Sequence, residues 1–179
     1  HRIGPPMSEQ SFLVLSIVAC LLGNGFFSGA EIAVISVRRS RVETLIAEGS
    51  RVALRLKHLQ DNMDDFLATV QIGVTLMGTL AGVLGGYLAS LYIEPWVMAH
   101  HFPSWLTPTL VATVVVGGGI VYTELILGEL VPKALALKYA ETVALLVSGP
   151  FLFLYRASRW LVALLTASTR AVLLLFGVR

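Results

Sequence analysis

The chain has 179 residues, 56% of them hydrophobic and only 13% charged, with a formal net charge of +2 and a mean hydropathy of +0.79. Soluble domains carry about 25% charged residues, so this composition excludes an ordinary soluble domain and points to a membrane protein. Cys20 is the only cysteine, which excludes an intramolecular disulfide; inside an apolar run it reads as a buried thiol. Zinc spacing, a phosphate-binding loop, a dinucleotide fingerprint and a nucleophile elbow are all absent from the sequence, so neither an enzyme nor a nucleic-acid partner is expected.

His1–Pro6, ahead of an internal Met7, are expected to be an expression remnant outside the fold. The first helix is placed at about 10–37, longer than the roughly 20 residues a bilayer requires. No basic stretch precedes it, which argues against a signal peptide. Its inner half carries FFSGAE, Phe26–Glu31, with Ser28 and Glu31 three apart on one helical face. The stretch of about 38–60 is the most charged: Arg38, Arg39, Arg41, Arg51, Arg55 and Lys57 outweigh Glu43 and Glu48. It reads as two short amphipathic helices on the membrane surface. A capping box is predicted at Ser40/Glu43, and a stop and second cap at Gly49–Ser50. Its basic excess marks the cytoplasmic side and suits anionic lipid.

The second helix is placed at about 62–93, opening on Asp61, Asn62, Asp64 and Asp65, which suit a helix N-terminus. Gly78, Gly82 and Gly86 recur every four residues, a pattern that lets helix backbones approach closely in lipid. Thr75 precedes Gly78 on the same stripe. Glu94–Pro108, with three prolines, two tryptophans and the pair His100–His101, reads as an external loop with an aromatic belt. The third helix, about 107–131, holds the glycine triplet Gly117–Gly119, consistent with either close packing or local unwinding. It ends in YTELILGELVPK, Tyr122–Lys133. Pro132 has no N–H, so an α-helix passing through it leaves the Gly128 carbonyl without its donor beside the Glu129 carboxylate.

The remainder, about 140–178, is apolar but is interrupted by Gly149–Pro150 and carries Arg156, Arg159 and Arg170. A fourth crossing would bring Arg170 near the lipid core at up to about 3 kcal/mol. Helices lying in the inner interface avoid that cost. The expected fold is therefore an all-α membrane domain of three crossings with a cytoplasmic juxtamembrane belt, N-terminus outside and C-terminus inside.

Ser28, Thr75, Gly78, Gly128 and Glu129 are expected at similar depth in the cytoplasmic half. Oxygen donors without sulfur or imidazole suit a hard cation such as magnesium, calcium, sodium or a proton. Glu124 and Glu31 are secondary candidates, while Pro132, Gly82 and Gly86 are assigned structural roles. The plainer alternative is that Glu129 hydrogen-bonds to Ser28 or pairs with Lys133 and merely holds helices together.

With these motifs in hand, the chain resembles the transmembrane domain of the CorC and cyclin-M family of magnesium and cobalt efflux-type transporters, closest to the bacterial hemolysin-like branch. FFSGAE, RRSRVETLIAEG (Arg38–Gly49), FLATVQIGVTLMGTLAG (Phe66–Gly82) and LGELVPKALAL (Leu127–Leu137) carry the resemblance in order. It implies a homodimer in the inner or plasma membrane and a magnesium site lined by Ser28 and the Gly128–Glu129 pair. It also implies a sodium gradient as the driving force and a CBS module after the C-terminus. Many relatives place asparagine side chains on the second helix, where this chain has Val74, Thr75 and Gly78. A transporter of divalent cations is the leading expectation. The alternative is an anchor or sensor that relays cation occupancy to a cytoplasmic module.

Overall fold

The computed structural model describes residues 7–99 and 107–175, and among these every regular element is helical. The chain forms two compact units, His1–Ser28 with Gly73–Ala134 and Gly29–Ile72 with Leu135–Arg179. The expected remnant and the loop residues His100, His101, Pro103 and Trp105 lie outside the described residues.

Helix α1 runs over Met7–Ser36, and its apolar composition without an internal proline leaves nothing to stop it earlier. Gln60 satisfies its C-terminal end. The buried amide Nε2 donates to the carbonyls of Val34 at 3.1 Å and Val37 at 2.8 Å, groups that a helix terminus leaves without intrahelical partners. Helices α2 (Arg39–Ala47) and α3 (Arg51–Asp61) follow as predicted. Gly49 adopts φ +90°, a left-handed conformation that glycine reaches without Cβ strain. Ser50 then caps α3 by accepting from the Ala53 amide at 3.3 Å. The predicted Ser40/Glu43 capping box does not form. The extended backbone of Arg38 starts α2 earlier, so Ser40 lies within the helix, where its carbonyl accepts from the Thr44 hydroxyl at 3.0 Å.

The second unit has its own core. Phe66 and Phe151 are fully buried with ring centroids 4.7 Å apart, alongside Leu56, Leu59, Val34 and Val42. Arg41 binds Glu141 through two 2.9 Å hydrogen bonds, and this pairing raises the guanidinium pKa above its ordinary value. The Tyr155 hydroxyl donates to Asp65 at 3.0 Å. Asp64 and Asp65 lie in the first turn of α4 (Met63–Leu88), as expected. The Asn62 side chain instead donates back to the His58 carbonyl at 2.8 Å.

Beyond α4 the helix continues through a π-helical turn, π1 (Ala89–Ile93), into α5 (Glu94–Ala99). Residues 94–99 are thus helical, not loop. Pro95 lies inside this continuous helix, where its missing N–H leaves one carbonyl of the preceding turn without a backbone donor. The third long segment comprises α6 (Pro108–Ala112), π2 (Thr113–Gly117), α7 (Gly118–Thr123), π3 (Glu124–Leu130) and α8 (Val131–Lys138). The glycine triplet stays helical, Gly117 ending the wider π2 turn and Gly118 opening α7, and a Cβ at Gly117, Gly118 or Gly119 would meet nothing within 4 Å among the described residues. Helix α9 (Ala140–Leu175) runs uninterrupted through Pro150, where two segments were expected.

Among the described residues, four stretches have the length and apolarity to cross a membrane: Gln10–Ser36, Met63–Ala99, Thr109–Lys138 and Ala140–Thr169. The last has the lowest mean hydropathy, 1.2 against 2.0 for the third, because its arginines interrupt the apolar sequence.

Candidate polar site in the first unit

In the first unit, α1, α4 and π3 bring together Asn24, Gly78, Glu124 and Gly128. Asn24 is only 3% exposed, and its Nδ2 donates to Glu124 Oε1 at 3.2 Å. An amide nitrogen must face the carboxylate, since an amide oxygen there would repel it, so the orientation of the amide is fixed by its partner. The Asn24 Oδ1 atom is consequently buried without a hydrogen-bond donor among the described residues. A buried acceptor left unsatisfied costs about 1–3 kcal/mol.

Two glycines allow this arrangement. A Cβ on Gly78 would lie 2.7 Å from Glu124 Oε1, and one on Gly128 would lie 3.0 Å from Asn24 Nδ2. Each side chain therefore packs directly on a helix backbone. Gly78 and Gly128 belong to the predicted site, and Glu124 was its secondary candidate. Asn24 was missed, although an amide four residues before Ser28 on the same helical face was a readable signal.

The buried Ser28 hydroxyl donates to the Glu129 backbone carbonyl at 3.4 Å. The Glu129 carboxylate binds Lys133 at 2.8 Å on its own helix. Both contacts match the plainer alternative for Glu129. Thr75, by contrast, is on the exposed side of α4, where its carbonyl accepts from Thr79 at 2.7 Å. Glu31 is half-buried and belongs to the second unit.

Two structural expectations are corrected. Among the described residues of this chain, a Cβ on Gly82 or Gly86 would meet nothing within 4 Å, so neither makes a close approach within the chain. The tight positions are Gly73, against the Phe27 ring, Gly78, against Glu124, and Gly85, where the Ile120 side chain occupies the place of a Cβ; the last two are seven residues apart. A seven-residue interval stays on one helical face, drifting by only about 20°, whereas a four-residue stripe drifts off it. Pro132 also acts in a different register. The Val131 amide bonds to the Ile126 carbonyl, five residues back, as in a π-helix. In that register the donor missing at Pro132 is the partner of Leu127, not of Gly128. The Leu127 carbonyl lies 3.5 Å from where Gly25 would carry a Cβ, and the Pro132 ring packs against the same glycine.

Among the described residues no group of three or more His, Cys, Asp or Glu side chains is placed to hold a metal ion. The oxygen groups close to Asn24 and Ser28 are the Asn24 amide, the Glu124 and Glu129 carboxylates, the Ser28 hydroxyl and backbone carbonyls. Such a set suits hard cations better than zinc or copper.

Regular structure that is all helical among the described residues, several membrane-length apolar helices and a part-buried carboxylate–amide pair in one unit define an integral membrane protein of transporter-like character. The comparison with known proteins is more specific: residues 15–179 match the cyclin M transmembrane N-terminal domain, and the chain belongs to that family. It is 39% identical over 155 residues to UPF0053 protein sll0260 of Synechocystis sp., covering 87% of this chain and 34% of that protein. It is 32% identical over 165 residues to UPF0053 protein YhdP of Bacillus subtilis, covering 92% of this chain and 37% of the relative. A protein of Haemophilus influenzae named polyamine export protein is 30% identical over 141 residues, covering 79% of this chain and 32% of its own length. These relatives place the chain in the bacterial hemolysin-like, CorC-related branch. The chain spans about a third of the length of these curated relatives.

Proposed function

We propose that this domain transports cations across the inner or plasma membrane, with magnesium as the leading cargo and efflux driven by a sodium gradient. The observation that carries the reading is the buried Asn24 amide oxygen, without a donor, beside the Glu124 carboxylate in an apolar segment. Intramembrane ionisable residues are costly and commonly mark ion pathways. Cargo would engage the Ser28–Glu129 region, beside the Asn24–Glu124 pair, with Lys133 competing for the Glu129 carboxylate. The working unit in this proposal is a homodimer with its N-terminus outside, α9 along the inner interface, and a cytoplasmic CBS module in the full-length protein.

A second reading takes an organic polycation as cargo. It is favoured because no group of three or more His, Cys, Asp or Glu side chains among the described residues is placed to hold a metal ion, and one relative bears the name polyamine export protein. Both readings are tested with the full-length protein in liposomes under imposed sodium gradients. Magnesium flux is read with an entrapped dye, spermidine flux with radiolabel, and Glu124→Gln serves as the control. Magnesium flux abolished by the variant supports the first reading, and spermidine flux without magnesium flux supports the second. Cation binding with no flux under any gradient would sink transport and leave a sensor.

A further inference from the structure

The Asn24–Glu124 pair has a charge balance that narrows what it can hold. Within the first unit, Glu129 is already neutralised by Lys133 at 2.8 Å. Glu124 makes its one described polar contact with an uncharged amide. Around Asn24 there is accordingly a single net negative charge. No group of three or more acidic, histidine or cysteine side chains adds to it among the described residues. A doubly charged ion held by one carboxylate in a low-dielectric segment leaves one positive charge uncompensated, which is expensive. A singly charged cation leaves none.

The geometry points the same way. Asn24 Oδ1 is buried without a donor while Nδ2 is committed to Glu124, so an acceptor oxygen and a carboxylate sit side by side on one amide–acid pair. Gly78 and Gly128 hold both groups against helix backbone, which restricts their ability to turn outward to solvent. An amide oxygen and a carboxylate together satisfy either an alkali-metal ion or the N–H groups of a primary ammonium.

We propose that Asn24 and Glu124 form a binding site for a singly charged cation, an alkali-metal ion or a primary ammonium group, separate from the Ser28–Glu129 contact. This rests on reading the first unit as a cation path, but concerns a different ion at a different pair of side chains.

The test is equilibrium binding of 22Na+ to the purified full-length protein by scintillation proximity. Saturable binding is expected, weakened about ten-fold or more in both Glu124→Gln and Asn24→Leu and unchanged in Gly82→Ala. Asn24→Asp supplies a second carboxylate, and is expected to lower by about ten-fold or more the Mg2+ concentration needed to displace 22Na+. This gain of divalent preference would not arise from a purely structural role, and it keeps the proposal testable if Asn24→Leu fails to fold. Displacement by methylammonium but not by tetramethylammonium, which has no N–H, assigns the site to ammonium groups; displacement by Na+ alone assigns it to the metal ion. The proposal is overturned if neither 22Na+ nor labelled methylammonium binds saturably, if binding in both loss variants is as strong as in the wild type, or if Mg2+ displaces 22Na+ from the wild-type site better than Na+ does. Because magnesium flux is measured separately, loss of flux with intact binding rejects the transport reading alone. Intact flux without binding of either ion rejects the site alone.

Discussion

Replacing Gly78 with alanine should separate function from folding. The new Cβ would stand 2.7 Å from Glu124 Oε1, whereas a relaxed contact requires about 3.5 Å. The carboxylate must therefore retreat by roughly 0.8 Å, the difference between these separations. Its hydrogen bond from Asn24 is already 3.2 Å long, and a retreat of that size breaks it. Losing a hydrogen bond to a charged group costs about 1.5–3 kcal/mol, equivalent to roughly a ten- to 150-fold change in an equilibrium constant. The clashing atom is the tip of a flexible side chain, so the helices themselves need not move. Cation affinity, measured by calorimetry on the full-length protein, should fall by up to about that factor, while the thermal midpoint in detergent drops by no more than the loss of that one hydrogen bond accounts for. Gly82→Ala is the matched control, since a Cβ there meets nothing within 4 Å. If both alanine variants bind cations equally, the role assigned to the Gly78–Glu124 contact is wrong.

Three further outcomes are expected. Lys133→Met removes the counter-charge from Glu129 and should tighten magnesium binding about two- to five-fold, the scale of a part-exposed ion pair; weaker binding would mean that Lys133 positions the carboxylate instead of competing for it. Gln60→Leu strips the donor from the Val34 and Val37 carbonyls and should cost about 1–3 kcal/mol for each carbonyl left dry, seen as a lower unfolding midpoint. Gly49→Ala should cost about 1–2 kcal/mol from its left-handed backbone alone, because nothing lies within 4 Å of the new Cβ; Gly49→Asn should cost less on the same unfolding assay.

Much of this was legible in the sequence, for identifiable reasons. The long apolar helices follow from hydropathy. The Gly49–Ser50 stop and cap follow from local backbone chemistry that needs no tertiary context. Proximity of Ser28 to Glu129 and pairing of Glu129 with Lys133 were both anticipated. Asn24 was hidden because a lone amide in an apolar run attracts less notice than a carboxylate, and its partner lies a hundred residues away. The register around Pro132 was misread because apolar periodicity cannot distinguish an α-helix from a π-helix when most faces are apolar. Pro150 fails to end α9 because one missing hydrogen bond in a long helix does not outweigh the contacts of its buried neighbours, Ser148 and Phe151.

The π-helical turn at Glu124–Leu130 has one further geometric effect. Along an α-helix, positions five apart diverge by about 140° around the axis. With the wider i→i+5 winding, each residue advances only about 82°, and the same two positions come within roughly 50° of each other. Glu124 and Glu129 thus share a side of their helix only while the extra residue is held in the turn. Were that residue passed along the chain, as a dislocation glides through a crystal, the two carboxylates would rotate apart without any helix unfolding.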